Sequence, residues 1–264
     1  MIVGLPFISS SFDPDARAYI QTSGATARSE INHFVKAIKG LGLWNSMVCW
    51  PLRSSQNAGT GTTAYSLGGL GTYNGTLVNG PTWGINGVTL DGSNDYIIAT
   101  LPFDIKKSSV FQVNKLINPG TGAFNSYFGA GDASSISGSE NLIVHQGSSF
   151  GGGFGITQSN QNIVQNNISN GSNFFAIAFN GGLTSFSGKT IGGSNVTING
   201  NYVSTGCVNC GKLGIGCHFF VDSPIAFSNI NVSINIVFQN SNIDLQNLIY
   251  PIYKKTLGQG LGLP

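Results

Sequence analysis

Asn229-Ile-Asn-Val-Ser-Ile-Asn-Ile-Val-Phe238 decides the fold. Ile230, Val232, Ile234, Ile236 and Phe238 recur at spacing two, with Asn231, Ser233 and Asn235 between them. Successive side chains of a β-strand leave opposite faces, so this spacing predicts a strand with one face buried and the other in water. Shorter runs of strand-forming residues, bounded by Gly, Asn, Ser or Pro, precede it at 87–90, 96–100, 109–116, 126–129, 142–145, 173–179, 197–199 and 212–215. Many short strands separated by turn signals predict a mainly β protein, an antiparallel β-sandwich or jelly roll.

The two ends of the chain read differently. Asp13 before Pro14 predicts a helix start, with Ala16, Ala18 and Ile20 following until Gly24. Within 26–39, Ile31, Phe34, Val35 and Ile38 fall at i, i+3, i+4 and i+7, and Gly40 is the expected stop. A C-terminal helix is expected over 242–256, with Leu245, Leu248, Ile249 and Ile252 as its stripe and Ser241 or Asn242 as its cap. Asp244 at its start and Lys254 and Lys255 at its end suit the helix dipole. Pro251 removes one backbone hydrogen bond, so a kink or early end is expected there. This helix should pack on the sandwich, whereas the tail 258–264 gives no prediction. The resulting division is an arm at 1–11, a helical head at 12–44 and a sandwich with its C-terminal helix at 45–264. Ile2, Val3, Leu5, Phe7 and Ile8 make the arm apolar, and Gly4 and Pro6 keep it from folding alone, so these five residues are the expected docking surface for a partner.

Composition narrows the function. Charged residues are only 8% of the 264, and the balance of 12 basic against 10 acidic residues leaves a net charge of +2. With 41% hydrophobic residues the chain is not a charge-rich disordered one. No basic run offers to neutralise a phosphate backbone, so nucleic acid is not an expected partner. No apolar stretch is long enough to span a bilayer, and the first ten residues lack the basic region of a signal peptide. Synthesis in the cytoplasm is therefore expected, with no membrane partner. The surface must be wetted by the hydroxyls and amides of abundant Ser and Asn.

Two stretches carry resemblances. Thr76-Leu-Val-Asn-Gly-Pro-Thr-Trp83 followed by Gly87-Val-Thr-Leu-Asp-Gly-Ser-Asn-Asp-Tyr-Ile97 resembles the opening hairpin of laminin-G/concanavalin A-like jelly rolls, a superfamily of sugar- and protein-binding domains. Its physical content is a strand, a tight Asp91-Gly92 turn and a second strand. It implies a concanavalin A-like fold and says little about the ligand. Phe12-Asp-Pro-Asp-Ala-Arg-Ala-Tyr-Ile20, Ile31-Asn-His-Phe-Val-Lys-Ala-Ile-Lys-Gly-Leu-Gly-Leu-Trp44 and Leu248-Ile-Tyr-Pro-Ile-Tyr-Lys-Lys-Thr-Leu-Gly258, in that order, resemble a family of bacteriophage virion proteins that join a small helical head to a lectin-like domain. That resemblance implies a non-enzymatic structural protein exposed on the particle, as a tail-fibre or capsid-decoration component adhering to host glycans. The implied partners are other virion subunits, further copies of the chain as a trimer, and a host surface glycan. A capsid cement without sugar binding is the alternative, and a secreted carbohydrate-active enzyme or binding module is a third reading.

The inventory of reactive side chains agrees with a non-enzymatic reading. Glu30 and Glu140 are the only glutamates, and Glu30 lies in the N-terminal helices. No alternating carboxylate pair of the kind that cleaves glycosidic bonds is present, so no catalytic residue is expected. Asp91 and Asp95 suit turn hydrogen bonding. With Asp132 and Asp222 they form no clustered acidic loop for calcium, so no metal and no cofactor is expected. Cys207, Cys210 and Cys217, with His218, offer zinc, a disulfide or free thiols. Cys49 reads as a core residue, and His33 and His145 lack a companion nucleophile motif. Tyr65, Tyr73, Tyr127, Phe150 and Tyr202 lie near loops where a sugar ring could stack, whereas Trp44, Trp50 and Trp83 read as core. None of these aromatics is singled out as a carbohydrate site.

Overall fold

The computed structural model describes residues 12–105, 108–118, 125–133, 142–147, 153–158, 161–165, 174–181, 185–191, 196–201, 211–220, 222–239 and 244–263. The docking residues Ile2, Val3, Leu5, Phe7 and Ile8 lie outside them, as do Cys207, Cys210, Glu140, Phe150 and Tyr202.

The predicted mainly β, antiparallel sandwich forms. The first sheet runs β15 (Val196–Asn201), β14 (Ser185–Ile191), β13 (Phe175–Gly181), β7 (Ser109–Asn118), β19 (Asn229–Phe238), β5 (Gly87–Thr89) and β4 (Thr82–Gly84), with β1 (Met47–Pro51) also paired to β19. The second runs β12 (Gln161–Gln165), β11 (Gly153–Gln158), β10 (Leu142–Gly147), β8 (Asn125–Ala130), β16 (Lys212–Ile215), β6 (Tyr96–Thr100), β3 (Gly75–Val78) and β2 (Thr63–Ala64). A small third sheet joins β18 (Ser223–Ile225), β17 (His218–Phe220) and β9 (Asp132–Ala133). Val88, Val110, Ile177 and Val237 from the first sheet meet Leu77, Ile97, Phe128 and Leu213 from the second in one buried core.

The strand that decided the fold is not half exposed as expected: from Ile230 to Phe238 every residue is buried. Its register with β7 shifts between Val232 and Ile234, so Ser233 is an extra residue, a β-bulge. An inserted residue exchanges the faces. Ile230 and Val232 point into the sandwich, while Ile234, Ile236 and Phe238 point to its outer side. Thus the unbroken alternation in the sequence serves two different cores.

The outer side is covered by helix α1 (Pro14–Ser23), helix α2 (Arg28–Gly40) and helix α3 (Leu245–Lys255). Asp13 caps α1 as predicted, accepting the Asp15 and Ala16 N–H groups, and Gly24 ends it in the left-handed conformation. Ile31, Phe34, Val35 and Ile38 form the buried stripe of α2 and share one core with Phe111, Ile236 and Phe238 of the sheet. The segment 12–44, expected as a head, therefore shares its core with the first sheet. α3 packs on the same face through Leu245, Ile249 and Tyr253. It contains Pro251 and still runs to Lys255, rather than ending early there. The tail after it docks too: Leu257, Leu261 and Leu263 are buried, and Arg53 donates to the Leu257 and Gln259 carbonyls. Among the described residues no helix is long and apolar enough to cross a membrane.

The stretch read as an opening hairpin is wired differently. β5 pairs with β4 and β19 in the first sheet, whereas β6 pairs with β3 and β16 in the second. The Asp91-Gly92 turn therefore carries the chain across the sandwich, and the hairpin of this region is β4–β5. The crossing follows from burial on both sides of the turn: Leu90 and Ile97 both enter the inter-sheet core.

Candidate functional site

A groove among the described residues lies where the helical layer meets the rim of the sandwich. Asp15, Ala18, Tyr19 and Thr22 occupy i, i+3, i+4 and i+7 of α1, and so present one helical face to it. The C-terminal end of α2 supplies Lys39, the turn after it Gly42, and the short 3-10 turn Trp44–Ser46 supplies Trp44 and Asn45. The opposite wall is the loop between β2 and β3, with Tyr65, Ser66, Thr72 and Asn74. The groove encloses about 800 Å³, within the range of small-molecule sites.

Backbone bonds fix that loop against the core. Cys49 and Leu67 exchange N–H···O bonds of 2.7 and 2.8 Å, Gly69 N–H donates to the Trp44 carbonyl, and Leu70 N–H to that of Met47. A Cβ at Gly68, where φ is +149°, would lie 2.1 Å from the Met47 carbonyl oxygen; one at Gly69 would lie 2.5 Å from the Trp44 ring. Only glycine allows this approach. At the loop's base, Asn57 accepts from Tyr65 N–H and donates to the Tyr65 and Pro51 carbonyls. Asn74 Oδ1 accepts from the Ser66 N–H and hydroxyl, and the Ser66 hydroxyl in turn accepts from Tyr73 N–H. The loop is thereby held before any ligand arrives.

Charge in the groove is self-contained. Lys39 Nζ lies 2.8 and 2.9 Å from the two Asp13 oxygens, bonds Asp15 Oδ2, and sits 5.1 Å from the centre of the Trp44 ring. Burial raises the Asp13 carboxyl, but the Lys39 bond and two backbone N–H groups outweigh it and hold it below the usual range. Burial likewise opposes the Lys39 charge, and its two carboxylate partners reverse that and raise it. The two carboxylates share one ammonium. What the groove offers a ligand is the half-buried Tyr65, exposed amides at Asn45 and Asn74, the Thr72 hydroxyl, and the Thr22 and Ser66 hydroxyls as acceptors, since they donate to the Ala18 carbonyl and Asn74 Oδ1. Such a set forms many neutral hydrogen bonds beside a flat apolar surface.

The other candidates have separate fates. Tyr73 packs against the sandwich core, and Tyr127 is a fully buried strand residue. Trp50 and Trp83 are core or core-edge residues as expected, and Trp44, buried in the core under the helices as expected, also lines the groove. Asp91 accepts from Ser93, Asn94 and Asp95 N–H groups, and Asp95 from Asp91 N–H, which is the turn role predicted for them. Asp222 pairs with Lys212 at 2.8 Å. Cys49 and Cys217 are buried free thiols, and burial pushes Cys217 up to about 12. No group of three potential metal ligands occurs among the described residues. His33 is exposed on α2. His218 is buried, 2.8 Å from the Ser126 hydroxyl, and burial lowers its pKa to about 4. Ser66 and Thr72 had no signal of their own in the sequence, because their loop is placed by the Cys49–Leu67 pairing.

No family model matches this chain, and no curated protein matches it in sequence. Solved structures do resemble it. A Trypanosoma rangeli sialidase, bound to a difluoro-KDN, aligns over 86% of this chain and 39% of its own length, with 10% identity and a TM-score of 0.56. The botulinum neurotoxin serotype D binding domain aligns over 81% of this chain and 53% of its own, with 12% identity and a TM-score of 0.49. The CBM40 of the Ruminococcus gnavus IT-sialidase aligns over 55% of this chain and 82% of its own, with 9% identity and a TM-score of 0.39. The chain thus spans about two fifths of the trypanosomal enzyme, and at this identity the likeness is one of fold.

Proposed function

We propose that this protein is a non-enzymatic glycan-contact protein of a bacteriophage particle, and that its sugar site is the groove between α1 and the β2–β3 loop. The groove itself carries the reading: a concavity of about 800 Å³ lined by the half-buried Tyr65 and by amide and hydroxyl groups. Sugar rings have apolar faces that stack on aromatic rings and equatorial hydroxyls that pair with amides. The fold is compatible with it, since this chain aligns in fold with 39% of a sialidase chain. The non-catalytic part rests on the carboxylates, because Asp13 and Asp15 bond one lysine instead of facing each other across the groove. The virion assignment rests on the resemblance of the helical segments at 12–44 and 248–258 to phage structural proteins. Attachment through the arm at 1–11 to other virion subunits, with several copies on one particle, turns weak single contacts into avidity.

The test is a glycan array probed with the protein displayed in many copies on a bead, alongside Asn45→Ala and Tyr65→Ala. Retention on specific glycans is expected, weakened about tenfold or more by either substitution. Silence across the array, or binding indifferent to both substitutions, removes the groove from the account. Turnover of a bound polysaccharide would overturn the non-enzymatic reading, and absence of the chain from purified particles the virion one.

A further inference from the structure

Resting on the glycan reading of the groove, we propose that this site selects uncharged sugars and rejects sialylated or uronic-acid ones. Recognition of a sugar carboxylate needs a cation with donors to spare. The groove is lined by one cation, Lys39, and an ammonium has three donors. Lys39 Nζ is bonded to three carboxylate oxygens, two on Asp13 and one on Asp15, and the Trp44 ring lies alongside. The Lys39 charge is thus already met by two carboxylates, Asp13 through both oxygens and Asp15 through one. The trio of Asp13, Asp15 and Lys39 sums to one negative charge, and the Asp15 side chain, 51% exposed, is the member nearest water. An incoming carboxylate would meet that charge without a partner, whereas a hydroxyl or acetamido group meets Asn45, Asn74, Thr22 and Thr72 at no electrostatic cost. Selectivity here comes from closing off the one attractive cation as much as from the contacts made.

The experiment compares neutral di- to tetrasaccharides with their sialylated or uronic-acid counterparts, each coupled to a carrier protein in many copies. The probes are tested against the full chain and the Asp15→Asn and Asn45→Ala variants. The wild-type chain should hold neutral members at least about fivefold better than their acidic counterparts. Asp15→Asn should narrow that gap by removing the trio's net negative charge, and Asn45→Ala should weaken the neutral members. Equal or stronger retention of the acidic members, still sensitive to Asn45→Ala, would overturn the selectivity and leave the glycan reading intact. No retention of either class, or retention insensitive to Asn45→Ala, sinks the glycan reading and this inference with it.

Discussion

The two faces of the first sheet are built to different rules. On the outer face β7 contributes Phe111 and Val113, β19 contributes Ile234, Ile236 and Phe238, and β1 contributes Met47 and Cys49, all buried and all apolar. On the inner face β7 offers Val110, Gln112, Asn114 and Leu116, and Gln112 stands opposite Asn235 of β19. Gln112 donates to the Tyr127 carbonyl of the second sheet, and Asn114 donates to the Gln112 side chain. Asn114 Oδ1 and both polar atoms of Asn235 have no partner among the described residues. The difference lies in what the sheet contributes: apolar side chains alone under the helices, where α3 adds the buried Tyr253 hydroxyl, and polar ones toward the second sheet. The inter-sheet space carries polar groups whose desolvation is only partly offset.

The sharpest way to break that contrast is to open the outer core. Phe111 is fully buried and meets the Tyr253 ring edge-on, with centroids 5.9 Å apart. Phe111→Ala should cost about 3–5 kcal/mol, as transfer and cavity terms add, read from the urea midpoint. A loss under about 1 kcal/mol would show that the helices sit on the sheet without contributing to its stability.

The small third sheet makes a different prediction, one of pH. His218 has a pKa of about 4 in the folded chain against an ordinary value of 6.5, because burial disfavours its charge. Between those values the unfolded chain takes up a proton that the folded chain refuses. Stability is therefore complete above about pH 6.5 and falls as pH drops toward 4, by about 3 kcal/mol in total. His218→Gln should flatten the slope over that window in denaturant titrations. An unchanged slope would place the titrating group elsewhere. A smaller effect of opposite sign is expected at Asn235. Replacing it with Leu removes two unpartnered buried polar atoms and should stabilise the chain by about 1 kcal/mol, seen as a raised urea midpoint.

The sequence made the outer face legible and the inner one much less so. The α2 stripe, the Asp13 cap and the strand bounds at 96–100, 212–215 and 229–238 are local patterns, and each appears in the structure as read. The bulge at Ser233 was hidden because an inserted polar residue continues the alternation it interrupts. The crossing at Asp91-Gly92 was hidden because a turn between two strands looks the same whether they share a sheet or face each other across a core. The candidate site was legible only through Tyr65. Its other wall depends on pairing between residues 49 and 67 and on two glycines whose need arises from Trp44 and Met47, and no local period encodes such a meeting.

The smallest expected effect tests whether charge has any hold on the apolar layer. Asp13 does two things at once: it caps α1 through Asp15 and Ala16 N–H, and it pairs with Lys39 of α2. Asp13→Ala removes both, and Asp13→Ser keeps a capping oxygen while losing the charge. The cap is worth about 1 kcal/mol, and an ion pair whose lysine is 30% exposed adds little beyond it. The alanine variant should therefore lose about 1 kcal/mol in thermal or urea unfolding and the serine variant less than half of that. The lowered Asp13 carboxyl contributes stability above its unfolded pKa that is lost as pH falls through the folded value, below about 3.8. That window lies under the one assigned to His218, so the two are separable in one titration. Equal losses from serine and alanine would mean that the Lys39 bridge, rather than the cap, fastens α1 to α2. The outer layer would then depend on charge at the groove's edge.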